Sequence, residues 1–161
     1  MYDIEIIPGK SDPAERVKTL PIVKPFKKIS IYKTQVKDLR VGEKFLIHTD
    51  GQVTTKYKYN VMLSTDIVLM SDNGATVVEL AEGQGQNFNG EEHHFNWPRI
   101  ASLDVTIERP GVWWFCHRAW SASTAAAAGD TLTVDQDAGS IAIWRFTPVD
   151  IADLKTRLGI A

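Results

Sequence analysis

The 161-residue chain, 43% hydrophobic and 24% charged, has room for one ordinary globular core and a tail. Its net charge of −2 and pI near 6.1 argue against nucleic acid as the ligand, because phosphate binding calls for a basic domain rather than a basic segment balanced elsewhere. That small sum conceals a split: residues 1–58 hold 12 of the 18 Lys and Arg but 7 of the 20 acids, leaving +5, and the remainder carries −7.

A basic front half joined to an acidic back half suits a subunit that docks onto copies of itself or onto an acidic neighbour. The first residues, Met1-Tyr2-Asp3-Ile4-Glu5, lack a basic segment followed by an apolar one, and no stretch approaches the roughly 18 apolar residues of a membrane span. A soluble, cytosolically made protein is expected. The one cysteine, Cys116, lies beside the apolar run Val112-Trp113-Trp114-Phe115 and is expected to behave as a small buried hydrophobe.

Residues 1–28 contain Pro8, Pro13, Pro21 and Pro25; proline fixes φ and withholds a donor, so this stretch is expected to be an extended arm ordered by lying across another surface. Within it, Asp12-Pro13-Ala14-Glu15 has the cap, first-position proline and acid of a short helix. From Ile29 to Thr147 short apolar runs alternate with turn residues, the pattern of an all-β, antiparallel, jelly-roll-like sandwich. Three hairpins are predicted. Asp50-Gly51 joins 45–49 to 52–56, Ser71-Asp72-Asn73-Gly74 joins 67–70 to 75–80, and Gln136-Asp137-Ala138-Gly139 joins 132–135 to 140–146.

Leu103, Val105 and Ile107 alternate with Asp104, Thr106 and Glu108, predicting a strand with one wet face. Pro110-Gly111 then turns the chain into Val112–Trp120, apolar on both faces and expected at a central position. Ile141 and Ile143 alternating with Ala142, Trp144 and Phe146 predict another strand with two apolar faces. Thr147-Pro148-Val149-Asp150 supplies the start of a C-terminal helix over 148–161, packed on the sandwich by Ile151, Leu154 and Leu158, with Lys155 and Arg157 in its last turn and Gly159 as C-cap.

No catalytic signature accompanies these elements. Glu91-Glu92-His93-His94 has metal-binding residue types, with His48 and His117 as distant additions, but adjacent histidines on a strand point to opposite faces. Asp135, Asp137 and Gly139 imitate part of a calcium loop whose bidentate acid would fall on Phe146. No serine lies in a Gly-x-Ser-x-Gly elbow, and no cofactor or metal is implied. Of the five tryptophans, Trp97, Trp113, Trp114, Trp120 and Trp144, most are expected to fill core and subunit contacts; Trp97 and Trp120 are the candidates for stacking on a sugar. The polar stretch Glu82 to Gly90 is expected to be an exposed connection where a neighbour binds.

Gly129-Asp130-Thr131-Leu132-Thr133-Val134, Asp137-Ala138-Gly139, Ile141 to Phe146, Thr49 to Thr54 and Gln84 to Arg99 together resemble the small β-sandwich proteins of tailed bacteriophage virions. The resemblance covers residues 29–147 and is one of style, without a diagnostic motif. It implies a non-enzymatic minor tail, tail-fibre or head-decoration subunit in the virion, repeated about a symmetry axis and contacting copies of itself and other virion proteins. On that expectation Lys24, Lys27, Lys28, Lys33 and Lys37 meet acidic surface of a neighbour such as Glu91, Glu92, Asp135 or Asp137; the alternative is a carbohydrate-binding or host-recognition module reading a surface glycan.

Overall fold

A computed structural model describes residues 1–9, 19–23, 26–89, 92–96 and 98–159; at residues 8, 51–56, 84, 92–96, 134–139 and 153 it describes the backbone alone. In chain order the elements are β1 (Tyr2–Pro8), β2 (Thr19–Pro21), β3 (Ile29–Leu39), β4 (Lys44–Lys56), β5 (Val61–Ser71), β6 (Val77–Phe88), β7 (Glu92–Asn96), β8 (Arg99–Asp104), β9 (Arg109–Ala122), β10 (Thr131–Pro148) and α1 (Ile151–Leu158). They form an antiparallel β-sandwich with a short C-terminal helix.

One sheet runs β1-β10-β4-β7, with β2 continuing the β1 lane along β10 and β8 continuing the β7 lane along β4; the other runs β3-β9-β5-β6. Counted as lanes, each sheet has four. From lane to lane the chain crosses between sheets at every step except the β5–β6 hairpin, and its last strand lies beside its first, which is the jelly-roll order.

Alternation drives this arrangement. On β4, Phe45, Ile47 and Thr49 are buried and Leu46 is partly exposed; on β10, Ile141 and Ile143 are buried. They meet Phe115, Leu69, Leu63 and Tyr32 from the facing sheet, and the Phe45 and Phe115 rings lie 5.2 Å apart across the interior. Arg145 of β10 closes one margin: its guanidinium grips the buried Glu43 carboxylate at 2.8 to 3.1 Å and donates to the Asp38 carbonyl at 3.0 Å.

The predicted β5–β6 hairpin is present. Asn73 accepts from Ser71 Oγ and the Ala75 N–H, and Gly74 takes φ +71°. The strand at 112–120 is central, as expected, lying between β3 and β5.

Four expectations need correction. Asp50-Gly51 is no hairpin: β4 runs straight through it, because both flanks pair with β10, Thr49 with Ile141 and Gln52 with Asp135. Nor is 136–139 a loop; it is the register shift in β10 opposite Asp50-Gly51, so two turn-like sequences face each other and bend one long ladder. The described parts of the first 28 residues are not an arm, since β1 and β2 pair with β10. Pro8 and Pro21 close edge strands, where a missing donor breaks no ladder. The helix expected at Asp12 falls outside the described residues.

The fourth correction concerns α1. Thr147 and Pro148 still pair with Asp3 and Tyr2, so the cap is Asp150, which accepts from the Ala152 N–H at 2.8 Å. Gly159 ends the helix at φ 65°, with Lys155 and Arg157 in the last turn as expected. The packing differs, however: Ile151 is 71% and Leu158 61% exposed, and Leu154 alone is half-buried.

Candidate functional site

Of the predicted lysines, Lys28, Lys33 and Lys37 lie on the outer face of the β3-β9-β5-β6 sheet. On β9 the inward residues Phe115 and Ala119 join the core, while Trp114, Cys116, Arg118 and Trp120 alternate onto the other face. The β3 register sets Ser30 beside Arg118, Lys33 beside Cys116, Gln35 beside Trp114 and Lys37 beside Val112; the β5 register sets Asp66 beside Arg118 and Ser64 beside Trp120.

Asp66 anchors this face and is fully buried. Arg118 holds it with two hydrogen bonds of 2.9 and 2.7 Å, and Lys28 Nζ adds a third at 2.8 Å. Burial alone would push the carboxyl pKa up, but the hydrogen bonds from Arg118 and then Lys28 outweigh it and hold Asp66 below the ordinary carboxylate range. The Lys28 ammonium also sits 4.4 Å from the Trp120 ring centroid, and Lys33 sits 4.8 Å from that of Trp114, whose indole N–H donates to Asp72 at 2.8 Å. Lys28 and Lys37 are exposed on this face, and Lys27 is exposed ahead of β3. The result is a cation–aromatic surface with Asp66 as its buried counter-charge and Asp72 beside Trp114.

Trp120 does not offer an open ring. It is 8% exposed, covered by Lys28 and laid over Gly83, where an added Cβ would come within 2.7 Å of the indole. Trp113 and Trp114 take opposite faces, as adjacent strand residues must. Trp97, Lys24 and Glu91 fall outside the described residues, and Glu92 is placed only as the first residue of β7, opposite Lys56.

The histidines do not converge. His117 faces the interior beside Tyr32, with ring centroids 6.0 Å apart, while His48 is on the outer side of the other sheet between Ala142 and Ile100. Burial, and then the Arg99 guanidinium, bring the His117 pKa down to about 4, so it is neutral at physiological pH. His93 and His94 occupy successive positions on β7, and among the described residues no three His, Cys, Asp or Glu gather as a metal site. Cys116 is fully buried, which pushes its thiol pKa up and away from nucleophilic use.

A second feature lies where the β4–β5 and β6–β7 connections meet. Asn60, Gln86, Asn87, Phe88 and Asn89 line a cleft of about 400 Å³, and a neighbouring cleft of about 250 Å³ adds Phe26, Met62, Ser123 and Thr124. Much of the expected connection at 82–90 is strand β6, and its end forms this cleft.

The anchoring pair Asp66 and Arg118 was missed by sequence reasoning. Its signal is a lone acid in Leu63–Leu69 and a lone base in Phe115–Trp120, opposite charges in two otherwise mostly apolar strands.

No family model matches the chain, and no curated protein matches it. Solved structures do. A protein of the infectious bursal disease virus Gx strain superposes on 91% of this chain at 12% identity and TM-score 0.53. The VP2 subviral particle of infectious bursal disease virus covers the same 91% at 12% identity and TM-score 0.50. The likeness is one of fold. This chain spans about a third of those proteins, 33% and 32% of their lengths. A CBM4 structure reaches TM-score 0.29 and carries no weight. No helix among the described residues is long and apolar enough to cross a membrane.

Proposed function

We propose that this chain is a non-enzymatic structural protein of a virion, a minor tail or decoration subunit of a tailed phage, that assembles with copies of itself and with other virion proteins. The carrying observation is the jelly-roll order running through nearly the whole chain, in a likeness that extends to VP2 of a viral particle. Attachment to a neighbour uses the cation–aromatic face: Lys27, Lys28 and Lys37, with Lys24 and Lys33, meet acidic surface such as Glu91 and Glu92. Asp66, Arg118 and Trp120 hold that face rigid, which lowers the ordering cost of association.

Sedimentation velocity of the purified chain at about 0.05 and 0.5 M salt tests this, since exposed charge pairs are screened over roughly 8 Å near physiological ionic strength. Association that weakens with salt, and falls further in a Lys27→Ser, Lys37→Ser double variant, supports it. Association unchanged by salt, or none at either concentration, overturns it.

A second reading, a host-recognition module for a neutral glycan, is favoured by the amide- and aromatic-lined clefts rather than by Trp120. Glycan-array binding that disappears in Asn87→Ala would support it.

A further inference from the structure

The β5–β6 hairpin turns through Ser71-Asp72-Asn73-Gly74, and its hydrogen bonds converge on one side-chain amide. Asn73 Oδ1 accepts from Ser71 Oγ at 2.8 Å and from the Ala75 N–H at 3.0 Å. Ser71 Oγ in turn accepts from the Thr76 N–H at 2.9 Å, which fixes the hydroxyl in place. Gly74 takes φ +71°, a left-handed conformation that glycine enters without a Cβ penalty, so the turn itself calls for glycine after Asn73. Both residues are exposed, and the Asn73 amino group has no partner among the described residues.

An amide held in this way is set up for attack by the next backbone nitrogen. A bond from the Gly74 nitrogen to Asn73 Cγ closes a succinimide ring within the chain, so no second molecule has to be positioned. Negative charge develops on Oδ1 as that bond forms, and two donors already point at this oxygen. Gly74 has no side chain to crowd the approach, whereas Asn60 precedes Val61, Asn87 precedes Phe88 and Asn96 precedes Trp97. Asn89 precedes Gly90, which falls outside the described residues. One interaction opposes the step: the Gly74 N–H donates to the Ser71 carbonyl at 2.8 Å and must be released. A single turn hydrogen bond of this kind withholds roughly tenfold in rate at most.

We propose that Asn73 is a site of spontaneous deamidation in the folded chain, with water as the co-reactant. The Gly74 nitrogen gives up its proton and bonds to Cγ, the Cγ–Nδ2 bond breaks, and the amino group leaves with a proton as ammonia. Water then opens the ring at either carbonyl, leaving a normal or a β-linked aspartyl residue; nothing is oxidised or reduced. Either product adds a negative charge next to Asp72, whose carboxylate accepts from the Trp114 indole N–H at 2.8 Å while Lys33 sits 4.8 Å from that ring. The β-linked product also reroutes the main chain through the side chain, in a turn closed by the Ser71 N–H bonded to the Thr76 carbonyl at 2.9 Å. The hairpin end of the cation–aromatic face therefore changes charge and shape with the age of the chain, whether or not that face holds a neighbour.

The test is peptide mapping by mass spectrometry of the full chain held folded in mildly alkaline buffer, beside a guanidinium-unfolded sample. Conversion of the peptide carrying Asn73 to the acid, with a β-linked fraction detected by isoaspartyl methylation, is expected to outrun conversion at Asn60 and Asn87. A folded rate within about tenfold of the unfolded one supports the proposal, that being the most the Gly74 hydrogen bond can withhold. Ser71→Ala removes one donor to Oδ1 and is expected to slow conversion by roughly fivefold, the share of one ordinary hydrogen bond, with circular dichroism unchanged. Ser71→Thr keeps the hydroxyl and is expected to keep the rate. Overturning results are an Asn73 that stays amidated in the folded chain while the unfolded chain converts, conversion confined to Asn89, or an unchanged or faster rate in Ser71→Ala.

Discussion

Asp66→Asn is the sharpest test of how the cation–aromatic face is built. The carboxylate is fully buried, Arg118 is 15% exposed, and three hydrogen bonds of 2.7 to 2.9 Å join Asp66 to Arg118 and Lys28. The amide keeps the shape but sets its NH₂ against guanidinium donors and leaves Arg118 without a counter-charge. Breaking one side of such a pair costs about 3–5 kcal/mol. For a chain of this length that lowers Tm by roughly 6–20 °C. Lys28→Met is expected to cost at most about 1 kcal/mol, because the lysine side chain is 37% exposed and screened.

The same pair fixes an acid limit. The folded pKa of Asp66 lies below its ordinary 3.8, so its contribution is complete above that value and fades as pH falls through the lower folded pKa. Urea unfolding at pH 7 and differential scanning calorimetry between pH 2.5 and 7 provide the readouts. An Asp66→Asn midpoint equivalent to less than about 0.5 kcal/mol of loss would refute the assignment of Asp66 as the organising charge.

His117 gives a separate pH window. Its folded pKa of about 4 lies below the ordinary 6.5, so the unfolded chain binds the extra proton first, and stability is full above pH 6.5 and declines toward pH 4 by about 3 kcal/mol; His117→Phe should flatten urea midpoints across that window. Tyr57 donates to Asp130 at 2.6 Å, and that hydrogen bond first, then burial, raises its pKa to about 12. In a 295 nm titration Tyr57 should therefore ionise late, and Asp130→Asn should bring it back toward 10. Gly83→Ala places a Cβ 2.7 Å from the Trp120 ring and is expected to cost about 1–3 kcal/mol, seen as a lowered Tm with a shift in tryptophan emission.

Local chemistry was legible wherever the decision was local. The Ser71–Gly74 turn, the central position of 112–120, the inward pair Ile141 and Ile143, and Gly159 as C-cap follow from turn residues and alternation that no distant strand contests. Asp50-Gly51 misled because its turn preference competes with ten pairings along β10, and the long ladder wins. Proline at 8 and 21 suggested an arm because the sequence cannot say which edge of a strand is left unpaired. Ile151 and Leu158 suggested packing because periodicity marks an apolar stripe without saying whose surface covers it. Lys28, Lys33 and Lys37 were legible as a basic group, but their shared face with Arg118 and Trp120 depends on a register that composition does not encode.

That register also changes the meaning of the charge split. The jelly-roll order interleaves the halves of the chain: β1, β3 and β4 come from the basic front, and each lies against strands of the acidic back. Ion pairs then run between halves in both directions, Lys28 to Asp66 and Lys44 to Asp104 one way, Arg145 to Glu43 and Arg157 to Asp3 the other. A +5 front and a −7 back therefore do not make two oppositely charged surfaces. Part of the attraction that the linear sequence offers to a partner is spent within the fold, in the pairs to the buried Asp66 and Glu43 and in the exposed pairs at Asp104 and Asp3. What remains outside is the cationic face of the β3-β9-β5-β6 sheet, so the association such a body forms there is a salt-sensitive one.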